Sequence, residues 1–444
     1  MSQPPESATA SQVNEAVARA TVAFEALNAL PLHVRYDLIA AMRATAKAHV
    51  KDLSTMAVEE TGLGRAIDKV KKNLLVTVKT PGPEILEPRA FSGDRGLALM
   101  ERAPFGVIGA IIPTTNPTET IINNGIGMIS AGNAVVFNAH PAAHNCSNHC
   151  VELLNAAIVQ AGGPHNLVTC VPNPSIDTAQ AIMHHPGIAL LCVTGGPGVV
   201  AEAMKSGKKT IAAGPGNPPA VVDETADIPL AARNIVHGAS LDNNIVCIAE
   251  KVVVAVDSVV DELKREMVAC GSIEVEGADI ERLCDVIFAR RDGSKGVINK
   301  DYVGKNAGTI LGAIGIAAGP DVRLAICEVD HDHALPWTEQ LLPVLPIVRV
   351  ANAEEAIDWA VRYEGGRRHT ATMHSRNIEK LSDMARRINC SVFVKNGPTY
   401  AGLGLGGEGY TSFTIASPTG EGLTTALNFS RERRCTLVDH FRIV

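Results

Sequence analysis

The sequence reads as an α/β protein of more than one domain, with mainly parallel sheets covered by helices. Three observations carry this reading. At 444 residues the chain exceeds what one hydrophobic core usually fills. Short apolar runs bounded by Gly or Pro alternate with longer amphipathic stretches, as in repeated strand–helix units. The composition is 46% hydrophobic but only 4% aromatic, with Gly 39 and Pro 25, which suits close-packed layers and many turns.

Taken in order, the first ten residues read as a disordered lead. Residues 11–60 read as helices, because Val13, Val17, Ala20, Phe24 and Leu27 recur at spacings of four and three and so share one face. From about residue 104 the texture changes. Val107–Ile112 ends at Pro113 as a buried strand would, and a helix then leads to a second strand at Asn133–Phe137. A helix over 144–161, a strand at Leu167–Val171, a helix at Ile176–Met183 and a strand at Ile188–Val193 continue the alternation. A second α/β unit begins near Pro219–Val222. It carries strands at Lys251–Val256 and Val344–Val350, with helices at 257–269 and 353–363. Leu97–Arg102 and Arg433–Val438 read as arm-like exposed strands, which need a partner and point to oligomerisation.

The formal charge is −7, and the basic clusters at Lys205–Lys209 and Arg431–Arg434 are short and lack stacking aromatics. Nucleic acid is not an expected partner. No apolar run approaches the roughly 18 residues of a membrane span, and no secretory signal is evident. Ten irregularly spaced cysteines without a C-x-x-C pair argue for reduced thiols of the cytoplasm rather than zinc or disulfides.

Among the local motifs, Gly402-Leu-Gly-Leu-Gly-Gly407 satisfies G-x-G-x-x-G formally. The stretch after it is poor helix material, so the dinucleotide mechanism lacks its helix N-terminus. Thr194-Gly195-Gly196 is a stronger phosphate candidate, lying between an apolar strand and the helical Val199–Met204, although an ordinary tight turn explains it equally well. His331 and His333 share a strand face but lack further ligands, so solvation is preferred and no metal site is expected. Cys247 follows the turn-prone Asp242-Asn243-Asn244 and precedes a buried strand. Its bland reading is a buried apolar thiol, its sharp one a nucleophile presented to a cleft.

Several separated pieces together resemble the aldehyde dehydrogenase superfamily over nearly the whole chain. They are Ala103–Pro113 with Asn116, Asn133–Phe137, Thr194–Gly196, Cys247, and Glu339 followed by Pro343. The resemblance is closest to the CoA-acylating branch, in particular the propionaldehyde dehydrogenases of bacterial microcompartments. The specific phrases are Val58–Arg65, Lys79–Glu84, Asn217–Val222, Asp242–Lys251 and Phe413–Gly422.

That resemblance implies a Rossmann-like cofactor domain (1–92 and 104–215), an α/β catalytic domain (216–425) and a small β oligomerisation arm (93–103 and 426–444). It implies that Cys247 is the nucleophile and that the Asn116 amide helps hold the oxyanion. Glu339 would bond the nicotinamide ribose, while Thr114, His140, Thr194, Gly195, Gly196 and Gly214 would line the NAD site. Coenzyme A enters as co-substrate and a short aldehyde as substrate. A homodimer or homotetramer, contacts with microcompartment shell or cargo proteins and a place in the microcompartment lumen are also implied. No microcompartment-targeting helix is read before the first core-like helix.

Two departures matter. Where hydrolytic members carry a water-activating glutamate, this chain has Ala213, and where they offer a lysine to the adenosine ribose it has Asn138. The alternatives are a non-acylating dehydrogenase releasing free acid and a catalytically silent scaffold. Product with and without CoA separates the first from the main reading, and saturable NADH formation excludes the second.

Overall fold

The structure, a computed structural model, describes residues 8–444. Of the expected disordered lead, residues 1–7 lie outside the described residues, while residues 8–10 already belong to the helix Ala8–Asn28. The chain divides into two compact units. Of the described residues, one comprises 8–60, 70–213 and 410–444, and the other comprises 61–69 and 214–409.

The first unit opens with helices Ala8–Asn28, Val34–Ala48 and Val50–Thr61. Val13, Val17, Ala20 and Leu27 are buried as their spacing requires. Strand β1 (Arg89–Gly93) pairs antiparallel with β2 (Gly96–Pro104). Five parallel strands follow: β3 (Val107–Ile111), β4 (Ala134–Asn138), β5 (Val168–Cys170), β6 (Leu190–Thr194) and β7 (Thr210–Ala213). Their order is β5-β4-β3-β6-β7. The chain starts in the middle, builds outward to one edge, then returns beside β3 to build the other. The order therefore reverses between β3 and β6, and a crevice forms outside the carboxyl ends of strands at such a switch. β3 and β4 are buried throughout, as continuous apolar runs in a doubly covered sheet should be.

The second unit holds a seven-stranded parallel sheet. Its members are β8 (Pro219–Val222), β9 (Val252–Val256), β10 (Ser272–Glu274), β13 (Leu324–Glu328), β14 (Val344–Val350), β15 (Thr370–His374) and β16 (Val392–Lys395); a separate hairpin joins β11 (Phe288–Asp292) to β12 (Lys295–Ile298). The sheet order is β10-β13-β14-β9-β8-β15-β16. Its two faces are sealed differently. Helices Ile228–Ala239 and Asp257–Ala269 bury Ile235, Val236, Val260 and Leu263 against one face. Helices Ala353–Glu364 and Ile378–Ile388 bury Ile357, Tyr363, Leu381 and Met384 against the other. The helix Ala353–Glu364 is well specified at both ends. The Asn352 side chain caps its first turn, and Gly365 closes it in the left-handed conformation. Both tryptophans of the chain lie in this unit. Trp337 meets Trp359 edge-on at 6.4 Å and Tyr363 at 4.9 Å.

Residues 410–444 return to the first unit. The Phe413 N–H donates to Asn123 and the Thr414 hydroxyl to Asn124. The small ladder of β17 (Ile415–Ala416) and β18 (Gly422–Leu423) follows. Strand β19 (Ser430–Val438) then pairs antiparallel with β2 over nine residue pairs. The two arm strands read from the sequence are thus partners of each other, in a sheet of order β1-β2-β19. β19 remains exposed along nearly its whole length.

Candidate active site

In the second unit, the helix Ile228–Ala239 ends in an abrupt turn at residues 241–244. Asp242, Asn243 and Asn244 adopt φ of 49°, 55° and 65° in succession. A left-handed residue with a Cβ costs on the order of 1 kcal/mol or more, least for Asn and Asp, so three in a row require external restraint. Each side chain supplies it. The Asp242 carboxylate accepts from the Arg65 N–H at 2.6 Å and from Lys69 Nζ at 3.0 Å, with both charged side chains fully buried. Its own N–H donates to Asp68, which also binds Arg323. Asn243 donates to the Gly304 carbonyl at 2.8 Å and accepts from Arg65 Nε at 2.9 Å. Asn244 donates to the carbonyls of Ala239 and Glu250, at 2.6 and 3.0 Å. The turn-prone reading of Asp-Asn-Asn is realised in an extreme form.

The chain leaves this turn with Ile245, Val246 and Ile248 buried and Cys247 half-buried. The apolar neighbours anchor the loop while the cysteine between them retains access to solvent. Lys251, fully buried, reaches back under the loop. Its Nζ donates to the Asn244 carbonyl at 2.6 Å, to the Asn244 side-chain oxygen, and to the Val246 carbonyl at 3.4 Å. Burial pulls the Lys251 ammonium down to about 8, against the pull of Glu339, Cys247 and Glu250.

Gly216 closes the other side. A Cβ at this glycine would lie 2.5 Å from the Cys247 carbonyl and 3.1 Å from the His369 ring, so no larger residue fits without movement. The Gly216 N–H donates to Glu339 at 3.2 Å. Burial raises the Glu339 carboxyl, and Lys251 and the Gly216 N–H pull it back. His369 is buried, and burial with the nearby Lys251 and Arg367 pushes it down to about 4, leaving a neutral ring at neutral pH. Its Nδ1 meets Thr370 Oγ1 at 2.9 Å. Glu250, also buried, is pushed up to about 7 by burial, while the Thr399 N–H it accepts at 2.8 Å opposes the shift.

In the first unit, Asn116 stands at the N-cap of the helix Pro117–Ser130 but makes no side-chain cap. An asparagine there ordinarily accepts from the first helical turn. Instead its Oδ1 takes a 2.5 Å bond from Lys72 Nζ, itself paired with Glu119 at 3.0 Å, with both charged side chains buried. The amide is thereby oriented with its Nδ2 as donor, one hydrogen directed to Thr115 Oγ1 at 3.2 Å.

Thr114 follows β3 and Thr194 ends β6, the two strands that flank the sheet reversal. Gly195 and Gly196 lead into the helix Pro197–Lys205, whose N-cap is Gly196 with no side-chain cap and open space around it. That leaves backbone N–H groups at a helix N-terminus beside the switch, the geometry that receives a phosphate. His140 is exposed and accepts from the Ala142 N–H at 3.1 Å. Asn138 is buried and accepts from the Thr178 hydroxyl at 2.7 Å. Gly214 is buried just beyond β7.

The structure therefore gathers Cys247 and Glu339 with Gly216, Lys251 and His369 in the second unit. It places Asn116, Thr114 and the Thr194–Gly196 turn in the first. Sequence reasoning missed Lys69, Lys72, Lys251 and His369 as parts of the site, and read Asp242 only as a turn residue. Elsewhere, His333 accepts from the Leu335 N–H at the start of the helix Ala334–Trp337, and His331 stacks on Trp359 at 4.5 Å. Among the described residues no group of His, Cys, Asp and Glu forms a metal cage. The segment from Gly402 to Gly407 continues into turns without a helix.

The aldehyde dehydrogenase family model matches residues 3–421. The chain belongs to this family. It is 51% identical to the acetylating acetaldehyde dehydrogenase EutE of Salmonella typhimurium, over 97% of this chain and 92% of that protein. The propionaldehyde dehydrogenase of Rhodopseudomonas palustris, solved with bound CoA and an acylated cysteine, is 45% identical with a TM-score of 0.94, covering 96% of this chain and 97% of that one. A cysteine-to-alanine mutant of the propionaldehyde dehydrogenase from the Clostridium phytofermentans fucose-utilisation bacterial microcompartment matches with the same identity and TM-score, over 97% of this chain and 99% of that one.

Proposed function

We propose that this chain is a CoA-acylating aldehyde dehydrogenase. It oxidises a short aliphatic aldehyde, propionaldehyde or acetaldehyde, with NAD and CoA to the acyl-CoA and NADH. The observation that carries this reading is Cys247, held half-buried just after a restrained left-handed turn. The buried methyl of Ala213 supports the acylating branch, because a hydrolytic family member has a carboxylate at that position.

The Cys247 thiolate attacks the aldehyde carbonyl, and the Asn116 amide, turned donor-outward by Lys72, hydrogen-bonds the resulting oxyanion. The residues present fit a dinucleotide: the switch between β3 and β6 and the uncapped helix N-terminus at Gly196 offer a pyrophosphate site. Thr114, His140, Thr194, Gly195, Gly196, Gly214 and Glu339 would hold it, and NAD supplies the hydride acceptor. Loss of hydride leaves an acyl thioester on Cys247. Ala213 activates no water, so the thioester waits for the CoA thiolate, whose attack forms acyl-CoA and returns the Cys247 thiolate.

In this reading the first unit serves the cofactor, the second carries the chemistry, and the strands around 93–103 and 426–444 form an oligomerisation arm. The exposed β19 supports a homodimer or homotetramer. No helix of the described residues is long and apolar enough to cross a membrane. The likeness to a microcompartment enzyme supports a place in a microcompartment lumen beside shell or cargo proteins.

The test is product analysis with several aldehydes, with and without CoA. Acyl-CoA formation that requires CoA and disappears in Cys247→Ala is expected. Free acid formed at an unchanged rate without CoA would establish the hydrolytic alternative, and acyl-CoA formation by Cys247→Ala would remove the nucleophile.

A further inference from the structure

The Lys251 ammonium is fully buried, and each of its hydrogen bonds goes to a neutral oxygen of the loop 244–246. Among the described residues it makes no ion pair. An ammonium in such a place pays a desolvation cost that neutral oxygens only partly offset, so it needs an anion facing it or it loses its proton. The groups that act on it are few. Glu339, Cys247 and Glu250 favour its charge, and His369, neutral itself, is held neutral partly by it. Burial raises both carboxyls, with Lys251 opposing the rise in each, and Cys247 is the member of this set that directly follows the clamped Val246.

The hydrogen bonds tie Lys251 to the nucleophile loop. The carbonyls that Lys251 holds belong to Asn244 and Val246, the last left-handed residue and the residue directly before Cys247. The lysine fastens the segment that presents the sulfur, and its charge is felt by Cys247. His369, its ring neutral and packed near Gly216 as the Cys247 carbonyl is, supplies no competing cation.

We propose that Lys251 is the positioning residue and counter-charge of the Cys247 thiolate, clamping the loop through the Asn244 and Val246 carbonyls and stabilising the ionised sulfur. On ionisation the S–H bond breaks, its electron pair stays on Sγ and the proton passes to water, so no dedicated base is required. When CoA displaces the acyl group, the same charge receives the departing thiolate. The proposal rests on Cys247 being the nucleophile.

The experiment is alkylation of the full-length protein by iodoacetamide across pH 5.5 to about 10, a range spanning the ordinary thiol value near 8.5. Modification of the peptide carrying Cys247 is followed by mass spectrometry, with Cys247→Ala as background. In the unmodified protein the inflection is expected below about 8.5, the value of a free cysteine. Lys251→Met is expected to raise it by about one pH unit or more, cutting alkylation at pH 7 roughly tenfold while leaving the high-pH plateau in place. An unchanged inflection in Lys251→Met, with or without a lower plateau, would mean a purely structural lysine and overturn the proposal. If that variant does not fold, the unmodified protein decides, since an inflection at or above about 8.5 overturns the counter-charge on its own. Acyl-CoA formation by Cys247→Ala would instead overturn the nucleophile assignment, which the alkylation profile does not read.

Discussion

Asn116→Ala removes one oriented donor, together with the acceptor of the buried Lys72, which keeps Glu119 as its partner. The Oδ1 of Asn116 is occupied by Lys72 at 2.5 Å and one amide hydrogen by Thr115 at 3.2 Å. The second amide hydrogen has no acceptor among the described residues, which leaves it for an oxyanion. Losing one such donor costs about 3 kcal/mol of transition-state stabilisation, a fall of two to three orders of magnitude in kcat. Binding of the uncharged aldehyde does not use the bond, so KM should change much less. Asn116→Asp sharpens the test. It keeps the size and offers Lys72 a charged partner, but replaces the N–H donor with an acceptor, so it should be no faster than the alanine variant. The assay is the initial rate of NADH formation at saturating aldehyde, NAD and CoA, with circular dichroism confirming the fold. A kcat within about threefold of the unmodified enzyme for either variant would refute the oxyanion role, on the scale expected for such donors.

Three further outcomes are expected. Gly216→Ala places a methyl where the Cys247 carbonyl lies 2.5 Å away, so the nucleophile loop must shift. Displacements of about 1 Å cost on the order of a hundredfold in rate, which steady-state kcat will show. Lys69→Met leaves the buried Asp242 carboxylate without its 3.0 Å partner, and a loss of about 3 kcal/mol is expected from chemical denaturation followed in the second unit. Glu250→Gln removes a carboxylate whose folded pKa, about 7, lies above its ordinary value of 4.5. The stability contributed by this group is complete below its unfolded pKa and is lost as pH rises through about 7. The glutamine variant should therefore match the parent near pH 4.5 and exceed it by on the order of 3 kcal/mol at pH 8, read from Tm at the two pH values. An equal gain at both would show that the carboxylate does not titrate in this range.

Much of the scaffold was legible because buried parallel strands write themselves plainly. Val107–Ile111 and Val252–Val256 are continuous apolar runs, and helices such as Ile228–Ala239 keep an apolar face for the core, although Pro117–Ser130 is buried throughout. The turn before Cys247 was legible too, since Asp and Asn are the residues that tolerate a left-handed backbone. The buried charges were not. Lys69 and Asp242 meet across 173 positions, and no local pattern records such a distance. Lys72 and Lys251 carry the residue type least expected inside, so their burial contradicts the ordinary prior. His369 gave no signal, because a lone histidine beside a threonine-rich strand resembles any core histidine. The diverted side chain of Asn116 is similar: its N-cap position before Pro117 was readable, but its preference for Lys72 over the helix end depends on a partner 44 residues away.

The placement of both tryptophans beside Tyr363 has a practical consequence. Tryptophan emission from this protein originates wholly in the second unit, whereas far-ultraviolet circular dichroism samples the helices of both. Recording the two signals on one melting sample therefore separates loss of the catalytic loop's scaffold from loss of the other unit, without any label. A gap between the two transitions would measure how independently the units unfold, and coincident transitions would show that they melt as one. The chain carries its own site-specific thermometer for the half that holds Cys247.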